Sequence, residues 1–81
     1  MARTRDERYS DRLLAFAIRL RELRHQAGLT QDVLAERAGL SVTMVQNLER
    51  PSDGGNPRLT TLFALAEALQ VDVRQLVADK R

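Results

Sequence analysis

Gln46 and Asn47 place two side-chain amides next to each other, with Val42 and Thr43 a few residues before them. An amide offers acceptor and donors side by side, the pattern that pairs bidentately with the major-groove edge of adenine. A valine, or the methyl group of a threonine, suits the C5-methyl of thymine. Val45 and Leu48 are the pair a short helix would bury here, and their spacing turns Val42, Thr43, Gln46 and Asn47 outward together. No Arg or Lys stands within 41–49, so the guanidinium contact to guanine is missing from this face. Its chemistry leans to A·T-containing half-sites. The same side chains also fit an ordinary solvated helix face. An apolar Val42 turned outward at the start of the helix favours the reader.

The elements that must hold this face lie in residues 29–49, which predict two short helices hinged at Gly39. Thr30 and Ser41 are hydroxyl residues placed to cap them, each accepting a backbone N–H left orphaned by the first turn. Leu29 can pack on Leu34, and Leu40 on Val45, the spacing of hydrophobic staples. Two capped helices around a glycine turn outline a helix-turn-helix, about residues 30–50, whose second helix fits the DNA major groove. Capped helical hairpins also occur in small α domains of other function, so spacing alone leaves both readings open.

The run Leu20-Arg21-Glu22-Leu23-Arg24, then Gly28-Leu29-Thr30-Gln31, Leu34-Ala35, Ala38-Gly39 and Leu48-Glu49, resembles the Xre family of Cro- and phage-repressor-like helix-turn-helix DNA-binding proteins. Asn56-Pro57, Leu59, Leu62, Ala66, Leu69 and Val71 continue the match in order, so it spans residues 14–77. The resemblance implies an all-α, five-helix domain. It implies base contacts from Ser41, Val42, Thr43, Gln46 and Asn47. It makes Gln31 a phosphate clamp whose side chain also supports the recognition helix, and pairs Arg24 with Glu49 as a structural bridge between the first and third helices. Gln31 also stands where free N–H groups and the positive end of a helix favour an anion. Asn56 and Arg58 are placed for a second phosphate contact, with loop solvation and capping as the ordinary reading. After Glu49 the chain departs from the pattern. Pro51 replaces the usual glycine, the loop is longer, and it carries Asp53 with no base between Arg50 and Arg58.

The remaining chain predicts helices only. Residues 1–9 read as a flexible basic arm, and Arg3, Arg5 and Arg8 are able to reach phosphates or a minor groove. Residues 10–81 read as the single helix-turn-helix domain. Ser10 is expected to cap the first helix, with Tyr9 stapled onto Leu14, and Phe16, Leu20, Leu23 and Ala27 buried before Gly28 ends it. The second helix is expected to bury Leu34, Ala35 and Ala38. The third buries Val45 and Leu48 and stops at Arg50, before Pro51. Residues 51–57 are loop by composition. The fourth helix would bury Leu59, Leu62, Leu65, Ala66 and Leu69; Asn56 with Pro57 at the first helical position suits its start, whereas the resembled family usually carries a serine where Arg58 stands. Asp72 caps a short fifth helix, with Gln75 completing a capping box and Val71 stapled onto Leu76.

Composition bounds the function classes. The 81 residues hold no cysteine, so neither a disulfide framework nor a thiolate metal site is available. This length fits one core. No apolar run approaches a membrane span, and the first residues lack a signal-type apolar block, so a cytoplasmic protein is expected. The net charge is only +2, but seven of the thirteen basic residues lie within the first 24 positions against four acids, concentrating positive field there. A single histidine, His25, has no visible partner for base or nucleophile work. It reads as a surface residue near a helix C-terminus. No enzyme, metal or cofactor is expected.

The expected function is a sequence-specific regulator binding double-stranded DNA, a dimeric repressor with recognition helices about 34 Å apart on a palindromic operator. Phe63, Val73 and Val77 are left over from the core as dimer-interface candidates. Two alternatives stand beside it: an antitoxin-type protein that also binds a toxin, and a protein-interaction module without specific DNA binding.

Overall fold

The computed structural model describes residues 4–50 and 56–77. Within them run six helices: α1 (Arg5–Arg8), α2 (Ser10–Gln26), α3 (Gln31–Ala38), α4 (Val42–Leu48), α5 (Leu59–Leu69) and α6 (Val73–Val77). No strand occurs among the described residues. The five expected helices are α2 to α6, and α1 is an additional single turn inside the basic arm. Arg3, and the loop residues Pro51 and Asp53, lie outside the described residues.

The core is built from one apolar stripe per helix. Phe16, Leu20 and Leu23 of α2 meet Leu34 and Ala35 of α3, Val45 and Leu48 of α4, Leu65, Ala66 and Leu69 of α5, and Leu76 of α6. Helix α3 packs against both α4 and α5, while α6 closes against α2 and α5. The Arg19 guanidinium Nε donates to the Gln75 carbonyl at 3.1 Å, tying α2 to α6 at the rim.

Helix ends follow local chemistry. The Thr30 hydroxyl accepts from the Val33 N–H at 3.1 Å, and the Ser41 hydroxyl from the Met44 N–H at 3.1 Å, as their positions demand. Leu29 and Leu40, the outer halves of the two staples, are partly buried against the core that holds Leu34 and Val45. At α6 the Gln75 side chain accepts from the Asp72 N–H at 3.1 Å, while the Asp72 carboxylate accepts from the Arg74 N–H at 2.8 Å. Three helices end in the same paired-turn closure. Leu29 N–H reaches back to the Arg24 carbonyl, Leu40 N–H to that of Ala35, and Val71 N–H to that of Ala66. Each closure passes through a left-handed residue: Gly28 (φ +72°), Gly39 (φ +69°) and, unusually, Gln70 (φ +57°).

Several sequence expectations change. Ser10 does not cap α2; it lies inside the helix, and the residue before it, Tyr9, makes no side-chain cap bond. The cause is upstream. Thr4 and Glu7 form a reciprocal capping box (Thr4 N–H to Glu7 Oε1 3.1 Å, Glu7 N–H to Thr4 Oγ1 3.2 Å) that starts α1. The chain therefore arrives already helical, and the Tyr9 carbonyl accepts from both Arg12 and Leu13 N–H at 3.0 Å. The Tyr9–Leu14 staple loses its basis, and both side chains are exposed. Ala27 is exposed because α2 ends at Gln26 and Ala27 already belongs to the turn. Helix α4 ends at Leu48 rather than Arg50, with Glu49 as its C-cap. Asn56 and Pro57 precede α5 without entering it, and its N-cap is Arg58, which makes no side-chain cap bond. Leu59 becomes the first helical residue of α5 and is 62% exposed rather than buried.

Candidate nucleic-acid interface

Helix α4 is held on its inner side by two residues. Val45 is fully buried and Leu48 nearly so, which fixes the rotation of the helix as their spacing predicted. Thr43, Gln46 and Asn47 consequently face out and are exposed, as is the capping residue Ser41. Val42 does not join them. It is half-buried and packs against the core, because the first turn of α4 lies close to the staple residue Leu40. The exposed apolar side chain of α4 is instead Met44, 41% accessible, which the sequence reading passed over. A helical wheel offered the signal: Met44 lies one step beside Val45, on the flank rather than in the buried stripe.

The C-terminal end of α4 is clamped by charge. Glu49 accepts from Arg24 Nε at 2.7 Å and Nη2 at 3.0 Å, a bidentate bridge from α2. Both partners are nearly closed off from solvent, their side chains 10% and 3% exposed. The remaining guanidinium nitrogen, Nη1, donates to the Leu29 carbonyl at 2.9 Å, so one side chain binds the end of α2, the following turn and the end of α4. Gln31 adds a third donor, its Nε2 lying 3.2 Å from Glu49 Oε1. The Arg24–Glu49 bridge and the support that Gln31 lends to the end of α4 therefore coexist in one network. His25 is exposed in the last turn of α2, with Nε2 3.2 Å from Arg24 Nη2.

Between α4 and the start of α5 the surface is concave. Ser41, Thr43, Met44 and Asn47 line one side, Asn56, Pro57, Arg58, Thr60 and Thr61 the other, over a floor at Leu48. Asn56 and Arg58, both exposed, thus share a depression with the outward residues of α4, while Gln46 lies outside it. The α4 face carries no formal charge and the rim supplies it through Arg58, an arrangement in which uncharged groups meet base edges and a cation meets phosphate. Arg74 beside Asp72 holds that carboxyl below its usual range and is itself held higher, through their side-chain hydrogen bonds first. The Thr4 hydrogen bonds hold the Glu7 carboxyl low in the same way.

The dimer candidates separate. Phe63 and Val77 are about half exposed. Val73 packs against the core and is not a free surface group. Leu59, one helical turn before Phe63, joins the exposed set instead. Among the described residues no cluster of metal-ligating side chains occurs, and no helix is long and apolar enough to cross a membrane.

A capped helical pair joined by a glycine turn, with an uncharged amide face outward and its far end locked by a buried ion pair, has the form of a helix-turn-helix. A helix-turn-helix family profile matches residues 20–76. The immunity repressor protein of Bacillus phage phi105 is 40% identical over 62 residues, covering 76% of this chain and 42% of the repressor. The chain therefore spans less than half the length of that relative. The crystal structure of the restriction-modification controller protein C.AhdI from Aeromonas hydrophila superposes with a TM-score of 0.74 at 41% identity, over 79% of this chain and 94% of the controller. The hypothetical transcription factor NHTF from Neisseria gives 0.79 at 31% identity, over 99% and 87%. The chain belongs to the helix-turn-helix family of DNA-binding transcriptional regulators, of the phage-repressor type.

Proposed function

We propose that the protein is a dimeric repressor that reads double-stranded DNA with α4. The observation that carries this reading is the outward exposure of Thr43, Gln46 and Asn47 on the clamped helix α4, with Arg58, ahead of α5, sharing a depression with Ser41, Thr43 and Asn47. Gln46 and Asn47 pair with adenine and the Thr43 methyl meets thymine, while half-buried Val42 contributes through its exposed part. Arg58, Asn56 and the N-terminal end of α3 at Gln31 take phosphates, which fixes register and makes affinity fall steeply with salt. Leu59, Phe63 and Val77 supply the contact between two copies, setting the two α4 helices about 34 Å apart on a palindromic operator. The protein works without a catalytic step or cofactor, in the cytoplasm where its DNA lies.

The exposed apolar residues Leu59, Phe63 and Val77 favour one second reading: they meet a different protein, as in an antitoxin that also holds a toxin. Selection of a randomised duplex pool by the purified protein at near-physiological salt tests the main reading. It is expected to return a palindrome with half-sites about one helical turn apart. Recovery of salt-sensitive background alone would refute specific reading.

A further inference from the structure

Met44 is a specificity-determining residue of this interface: we infer that its thioether, together with the Thr43 methyl, forms the contact that recognises the C5-methyl of one thymine in each half-site. The inference rests on the proposed reading of DNA by α4. Four observations lead to it. The valine at the start of α4, Val42, is half-buried against the core and has less free apolar surface than Met44 to offer a base. Met44 is 41% exposed although Val45 beside it is fully buried, so a large part of its side chain is open at the surface. Its backbone N–H is taken up by the Ser41 cap, which holds the first turn of α4 in place beneath it. Lastly, Met44 lines the same depression as Thr43 and Asn47, so an apolar group stands in one concavity with an amide and a hydroxyl.

The chemistry favours thymine. Within the major-groove code the thymine C5-methyl is the apolar group that marks a base pair, the other marks being hydrogen-bond donors and acceptors. A methionine cannot donate and is a weak acceptor, while its flexible, polarisable side chain adapts to a methyl group. Thr43 adds a second methyl at the lip, and Asn47 is left to hydrogen-bond the neighbouring base. Met44 therefore discriminates by the presence or absence of one methyl group. Removing one buried methyl from such a contact corresponds to about a fourfold weaker Kd.

The test uses the operator recovered by selection, with each thymine of one half-site replaced singly by deoxyuridine, which lacks only that methyl. Dissociation constants are measured for the wild type, Met44→Ala and the length-preserving Met44→Gln, with thermal unfolding to show that each variant folds. One position is expected at which the replacement weakens wild-type binding about fourfold and leaves both variants nearly unchanged. Equal penalties at every thymine in all three proteins would overturn the role of Met44 while leaving α4 as the reader. Failure of the wild type to select any operator would overturn the functional reading and this inference with it.

Discussion

Replacing Glu49 by glutamine keeps the shape of the side chain and removes its charge, leaving the Arg24 cation beneath the end of α4 without a counter-ion. Glu49 is 3% exposed and Arg24 10%, so solvent can take over little of the lost interaction. Three hydrogen bonds converge on the carboxylate, two from Arg24 and one from Gln31. A neutral amide oxygen accepts them more weakly, and its NH₂ group faces donors. Breaking one side of a buried ion pair costs about 3–5 kcal/mol. A small domain has about 0.05–0.15 kcal/mol of stability per residue, so this loss is a large fraction of the total. Each kcal/mol corresponds to about 4–8 °C at this size, so Tm is expected to fall by more than 10 °C in thermal unfolding followed by circular dichroism. The double change Arg24→Leu with Glu49→Leu removes both charges together and is expected to recover most of the loss, since apolar replacement of a buried pair is often neutral or stabilising. A Glu49→Gln protein within about 1 kcal/mol of wild type would refute the claim that this bridge joins α2 to α4, because exposed pairs give losses of that size.

Two further changes follow from helix ends. Gln70 holds a left-handed conformation that costs an L-residue about 1–2 kcal/mol, partly offset on substitution by the greater chain entropy of glycine. Gln70→Gly is therefore expected to raise Tm by a few degrees in thermal unfolding, and Gln70→Val to lower it. The Asp72 carboxyl is held below its ordinary value by Arg74, so its contribution to α6 is complete above that value and is lost as the pH falls through the lowered one. Amide signals of residues 73–77 are expected to show this acid loosening in the wild type and to lose that pH dependence in Asp72→Asn.

Much of the fold was legible because its signals are local. Thr30, Ser41 and Asp72 cap where their spacing placed them, and Gly28 and Gly39 turn the chain where only a left-handed residue fits. The apolar spacing of Leu20, Leu34, Val45, Leu65 and Leu76 marked the residues that end fully buried or nearly so. Misreadings arose where two local signals competed. Ser10 looked like a cap, but the Thr4–Glu7 box upstream had already begun the helix. Asn56-Pro57 looked like a helix start, yet α5 begins after Arg58, and the shift moves Leu59 from the core to the surface. The outward face of α4 was legible at Thr43, Gln46 and Asn47, since Val45 and Leu48 fix the rotation. Its edges were not, because how far Val42 or Met44 is covered depends on how α4 packs against α3 and the core, a tertiary choice that periodicity does not encode. The convergence of Gln31 on Glu49 likewise belongs to packing between elements far apart in sequence.

The central claim is that α4 reads base edges through its amides. Its most direct test is the affinity of Gln46→Ala and Asn47→Ala for the selected operator, measured against an unrelated duplex of equal length. Both side chains are exposed, so the variants are expected to unfold like the wild type. A bidentate amide contact is worth about 1–3 kcal/mol, so each variant is expected to bind the operator roughly fivefold to a hundredfold more weakly, with affinity for the unrelated duplex unchanged. Operator affinity equal to wild type in both variants would contradict the account and leave α4 as a solvated face.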